Sequence, residues 1–158
     1  WRKRDDRDGM LLSAARSFLF NEGLAGRVRD GSWNRLLPGE VAILDGTASQ
    51  FTLEAPDAEL EARAARLDLH PSGVLWGVGR SVAEGEALAL EARLAERYPS
   101  LCDGLERAGV RLGRRALRLR LGEPRLTRGE GELWLAFSLP RGAFATAVLR
   151  ELIAHPTL

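Results

Sequence analysis

Cysteine is almost missing from this sequence. Cys102 is the only one among 158 residues, so no internal disulfide can form and the paired-thiol spacings of a structural metal centre are absent. Apolar runs are short as well. None approaches the roughly 18 residues that a membrane-spanning helix needs, and the charged start Trp1-Arg2-Lys3-Arg4-Asp5-Asp6-Arg7-Asp8 leads into no signal-peptide stretch. A soluble chain in a reducing cytoplasm is therefore expected. Lysine is nearly absent too, with Lys3 alone, so arginine carries almost all the positive charge. Genomic base bias accounts for such a bulk count, although arginine also forms bidentate contacts with phosphate. No sign of charge dominates: 23 basic and 22 acidic residues leave a formal net charge of +1, and any RNA contact must come from local clustering. The opening Trp1, inside a charged run, leads to the expectation that an upstream portion exists.

Several chemistries are excluded by missing neighbours. His70 and His155 are each followed by proline and stand near no second histidine or cysteine at metal-ligand spacing, so structural or surface roles are expected for both. Gly77-x-Gly79 lacks the rest of a dinucleotide fingerprint, and no G-K-[ST] occurs. Ser13, Ser17 and Ser49 have no G-x-S-x-G context, and Cys102 falls in a predicted helix with no sign of activation.

What remains is an alternation of helical and strand patterns. Ser13 suits the N-cap of a helix over 13–30 that ends at Gly31. The Leu37-Pro38-Gly39 turn opens onto a hairpin built from Val41-Ala42-Ile43-Leu44 and Phe51-Thr52-Leu53, and Asp57 can cap a helix over 58–67. Three glycines and a proline make 70–79 an irregular segment with an apolar centre. Helical periodicity covers 84–98, stops at Pro99 and restarts with Ser100 as cap, up to Gly109. From Arg114 the period becomes two, with Leu117, Leu119 and Leu121 opposite Ala116, Arg118 and Arg120. After a turn at 129–131 it returns in Leu133, Leu135, Phe137 and Leu139. Pro140-Arg141-Gly142 precedes a final helix over 143–154. The fold class expected is α+β.

Two features bear on binding. Arg111, Arg114, Arg115, Arg118 and Arg120 can line a strand edge that holds a phosphate backbone, or form a solvated face with ordinary ion pairs; spacing leaves both readings open. Phe144 opens the last helix, where backbone N–H groups can receive an anion while the ring stacks on a base. On spacing alone, a core phenylalanine is the favoured reading.

Five blocks change that balance. They are 13–21 (Ser-Ala-Ala-Arg-Ser-Phe-Leu-Phe-Asn), 37–40 (Leu-Pro-Gly-Glu), 69–77 (Leu-His-Pro-Ser-Gly-Val-Leu-Trp-Gly), 114–119 (Arg-Arg-Ala-Leu-Arg-Leu) and 139–152, which begins Leu-Pro-Arg-Gly-Ala-Phe-Ala-Thr. In this order they closely resemble the TruD family of tRNA pseudouridine synthases. The resemblance implies an inserted family-specific α+β domain over 1–118, including a helix at 13–30 that packs on the catalytic domain. Residues 119–158 would then return, as strands and a helix, to the pseudouridine synthase catalytic sheet. It implies conversion of uridine 13 of tRNA to pseudouridine without metal or organic cofactor. Phe144 matches the phenylalanine that helps bind the target uridine, and Arg114, Arg115 and Arg118 are expected on the RNA. The family's nucleophilic aspartate lies in a G-x-K-D stretch, followed by N-x-F-G-x-Q-R-F-G, and neither occurs here. Asp5, Asp6, Asp8, Asp45 and Asp103 match neither context, so no catalytic residue is assigned and the chain alone is expected to be inactive, with the N-terminal part of the catalytic domain as its missing partner. A stand-alone RNA-binding module is the alternative.

Overall fold

The computed structural model describes the backbone of residues 3–154 and the side chains of 8–154; His155 lies outside the described residues. The chain divides into two units, Trp1–Leu119 and Arg120–Leu158. Both combine helices with antiparallel strands, so the molecule is α+β. No described helix is long and apolar enough to cross a membrane.

The first unit opens with helix α1, Lys3–Arg29. Ser13 lies inside it and is not its cap. Lys3, Arg4, Arg7, Met10, Leu11 and Leu12 before it are good helix formers, and the single Gly9 costs only about 1 kcal/mol, too little to stop propagation. The helix ends as expected at Gly31, whose φ of 66° lets the Ser32 N–H reach back to the Arg27 carbonyl at 2.8 Å. Strands β1 (Val41–Leu44) and β2 (Gln50–Thr52) form the hairpin, and helix α2 (Ala58–Ala65) starts where Asp57 Oδ1 accepts the Leu60 N–H at 2.8 Å.

Strand β3, Leu69–Leu75, replaces the irregular segment expected at 70–79. It is an inner strand, pairing Pro71 with Ala42 on one side and Gly73 with Arg115 on the other. Its proline and glycine serve the strand instead of breaking it. Pro71 has no N–H to give, but its carbonyl accepts from Leu117 at 2.9 Å. At Gly73 a Cβ would stand 2.9 Å from the Phe20 ring, so glycine is what lets α1 approach the sheet.

Helices α3 (Gly85–Arg97) and α4 (Pro99–Arg107) meet at Tyr98. Pro99 does not end one helix before a Ser100 cap. It is the first residue of α4, where the donor it lacks would have no partner anyway. Strand β4, Gly113–Ala116, completes a sheet of order β2-β1-β3-β4 and is much shorter than the alternation suggested. The ladder ends at Ser72 opposite Ala116 although β3 continues to Leu69; the Leu117 N–H still reaches Pro71 O, and beyond it the chain leaves the sheet.

Three apolar clusters fill this unit, the smallest of them Val41, Ala83 and Ala87. Leu19, Val74, Leu94, Cys102 and Leu105 join α1, β3, α3 and α4, while Leu36, Ala42, Leu53, Ala64 and Leu69 lie between the hairpin, β3 and α2. Full burial of each leucine stabilises by about 1.5–3 kcal/mol. The two stretches before β1 and α3 cross main chain on main chain: the Glu84 N–H donates to Gly39 O at 2.9 Å, and a Cβ on Gly39 would lie 1.9 Å from the Glu84 carbonyl oxygen.

The second unit is simpler. Strands β5 (Gly122–Arg128) and β6 (Leu133–Ser138) pair around the expected turn, with an irregularity between Gly122 and Arg125. Helix α5, Ala145–Arg150, is shorter than the 143–154 expected, because the Pro140-to-Ala143 turn occupies the start and 3-residue turns follow at Leu149. No described residue of this unit is buried.

Candidate nucleic-acid interface

The arginines singled out by spacing have different fates. Arg114 faces inward from β4, with only 3% of its side chain exposed, and its Nη1 lies 2.8 Å from Glu91 Oε1. Its Nε donates to Ser72 Oγ at 2.8 Å. Beside it a second buried pair, Arg27 Nη1 to Glu40 Oε2 at 2.8 Å, shares the wall of a cavity of about 50 Å³ with Ser72 and Glu91. Burial pushes the Glu40 carboxyl above its ordinary range, although Arg27 pulls the other way. Arg114 therefore holds β3, β4 and α3 together, and its fork is turned away from any phosphate.

Arg118 is used in a similar way. It leaves the end of β4 to donate to the carbonyls of Ala64 and Leu69 and to the ring Nδ1 of His70 at 3.2 Å. Burial lowers its pKa. A guanidinium only donates, so Nδ1 of His70 must accept, which assigns the proton to Nε2, 2.8 Å from Asp45 Oδ1. His70 thus has the structural role expected of it.

Arg115 is the exception. It is exposed on the edge strand, and its guanidinium carbon lies 5.3 Å from the centre of the Phe20 ring. This cation–π contact engages no N–H of the fork in a hydrogen bond, and those donors can meet an oxyanion.

Phe144, in the other unit, is 73% exposed and occupies the N-cap position of α5, with an extended backbone (φ −116°, ψ 121°). It is not a core residue of this chain. At six residues α5 is too short for a dipole of consequence, so the ring carries whatever binding this position offers. Trp134 on β6 is also widely exposed.

Sequence reading missed Arg16. From α1 it donates to the carbonyls of Trp76 and Leu75, each at 3.1 Å, and of Arg111 at 2.8 Å. Only the Arg16 in the 13–21 block hinted at it, since helical periodicity describes apolar faces and says nothing about where a lone cation reaches.

Known proteins place these features in context. The family model tRNA pseudouridine synthase D (TruD) matches residues 6–152. The tRNA pseudouridine synthase D of Chromohalobacter salexigens is 54% identical over 159 residues, covering 100% of this chain and 46% of that protein. The one from Methylococcus capsulatus is 44% identical over 155 residues, covering 96% and 44%. This chain thus spans under half the length of the curated relatives it matches. A Methanosarcina mazei crystal structure assigned to TruD superposes with a TM-score of 0.64 at 21% identity, over 86% of this chain and 36% of that one, a likeness of fold.

Proposed function

The chain belongs to the tRNA pseudouridine synthase D (TruD) family, and on that premise we propose that the protein carrying it converts uridine 13 of tRNA to pseudouridine in the cytoplasm. The family match along 6–152 is the observation that carries this reading.

In it, residues 1–118 are the inserted family-specific domain and 119–158 the return into the catalytic sheet, a division one residue from that between the two units. The physical support is the bareness of the second unit. Two strands alone are marginal in water, and β5–β6 exposes Leu126 and Leu133, which ask for further strands or a covering layer. The relatives are more than twice as long as this chain and have the residues to supply them.

The reaction is an isomerisation: the N-glycosidic bond breaks, the base turns, C5 joins the ribose and gives up its proton, and N1 takes one up, so the composition of the nucleotide is unchanged. Taking a uridine out of its stack costs a few kcal/mol. Stacking on an aromatic ring returns about 1–3 kcal/mol per base, and Phe144, exposed at the head of α5, is the residue assigned to that task. Arg115 is the arginine offered to the RNA, whereas Arg114 and Arg118 act through the fold that presents it. The aspartate that assists at the sugar belongs to a G-x-K-D stretch that these 158 residues do not contain, so this chain alone leaves uridine unchanged.

The test is pseudouridine formation in unmodified tRNA by the full-length protein beside this chain alone. Conversion at position 13 by the full-length protein only is the expected result. Conversion by this chain alone would mean that one of its own carboxylates does the chemistry. Binding of tRNA without conversion by the full-length protein would support a non-catalytic RNA-binding module.

A further inference from the structure

Arg16 and Arg115 meet at one place on the first unit. On α1, Arg16 and Phe20 are four residues apart and share a face. The Arg115 guanidinium covers the Phe20 ring, with its carbon 5.3 Å from the ring centre. On β4, Gly113 and Arg115 are two residues apart and share the other side of the same contact. Arg16 Nη2 lies 3.4 Å from where a Gly113 Cβ would be, so the guanidinium packs against β4 at the glycine.

The two cations have no carboxylate partner among the described residues. This separates them from Arg27 and Arg114, each paired with a glutamate at 2.8 Å. Arg16 is fixed by three carbonyls through Nε and Nη2, while its Nη1 has no partner among the described residues. Arg115 is fixed by its ring and exposed. Burial, and after it the charge of Arg115, lowers the pKa of Arg16, as expected for like charges held together.

We propose that Arg16 and Arg115 form a preorganised clamp for one phosphodiester group of the tRNA backbone. A guanidinium held by carbonyls and another placed over a ring lose little freedom on binding, and their free N–H groups suit two non-bridging phosphate oxygens. The choice of an RNA phosphate rests on the proposed function, since a polyanionic substrate is what brings a phosphate to this edge strand. Phosphate contacts of this kind position the RNA and carry no base specificity.

The experiment measures binding of unmodified tRNA to the full-length protein as a function of salt, for wild type, Arg115→Gln and Arg115→Lys. Arg16 is left intact because it anchors three carbonyls. Arg115→Gln is expected to flatten the slope of log affinity against log salt by about 0.7–0.9, the share of one phosphate contact, with thermal unfolding unchanged. Arg115→Lys is expected to keep most of the slope. Wild-type affinity and slope in Arg115→Gln would overturn the proposal. If inorganic phosphate raises the unfolding midpoint of wild type but not of Arg115→Gln while the tRNA slope stays the same, the pair takes a free anion and the RNA assignment falls. Pseudouridine formation by the wild type separates the two levels: a flattened slope without conversion overturns the proposed reaction and supports the clamp, while conversion with an unchanged slope does the reverse.

Discussion

The two units of this chain treat the apolar residues of their strands in opposite ways. In Trp1–Leu119 Val41 and Ala42 of β1, Leu69 of β3 and Leu19 of α1 are fully buried. In Arg120–Leu158 β6 alternates cleanly, yet its Leu133 and Trp134 are both about two-thirds exposed, and Leu126 of β5, paired with Leu135, is equally bare. Periodicity states which face of an element wants cover. It does not state whether the same stretch of chain supplies that cover. The polar groups follow the same division, since the buried ion pairs Arg27–Glu40 and Arg114–Glu91 belong to the first unit and the exposed ring proposed for the uridine belongs to the second.

That contrast can be tested by substitution. The largest effect is expected at the buried pair: Glu40→Ala leaves the Arg27 guanidinium inside without its carboxylate and should destabilise the first unit by about 3–5 kcal/mol in chemical denaturation. Leu105→Ala, at a side chain that is 2% exposed, should cost about 2–5 kcal/mol in the same measurement. Phe144→Ala should leave the denaturation curve where it is and reduce pseudouridine formation by the full-length protein by about 1–3 kcal/mol in the binding of the target base, or roughly 5- to 150-fold in rate at limiting tRNA. A curve that shifts with Phe144→Ala would place that ring in a core and erase the contrast. The smallest effect is expected from Leu133→Ala in this chain, within about 0.5 kcal/mol. In the full-length protein the same substitution should cost about 2–5 kcal/mol if the added chain covers β6, and equal costs in both settings would show that no cover is supplied.

Much of the first unit could be read from local chemistry. The Asp57 cap, the Gly31 stop and the hairpin around Asp45-Gly46 depend on residues within a few positions of one another. The misreadings involve distant partners. Pro71 and Gly73 looked like breakers because nothing near them in sequence announces that Leu117 will bond the proline carbonyl or that Phe20 will fill the glycine's vacancy. The partners of Arg114, Glu91 and Ser72, lie far along the chain, so an exposed basic strand face and a buried ion pair looked alike in sequence. Strand β5 escaped notice because Glu123-Pro124-Arg125 interrupts its alternation, and it exists by pairing with β6. Phe144 was singled out by the family motif around it, since its spacing alone favoured a core residue.

The crossing of Gly39 and Glu84 has one more consequence. Elsewhere in the first unit a lost side chain leaves a gap into which neighbours can partly relax. Here backbone meets backbone, and the space for even one methyl group is already taken by a carbonyl oxygen. In a saturation library, position 39 should therefore be the reverse of a core site: size, polarity and charge would make no difference, alanine would fail along with tryptophan, and the tolerated alphabet would contain a single letter.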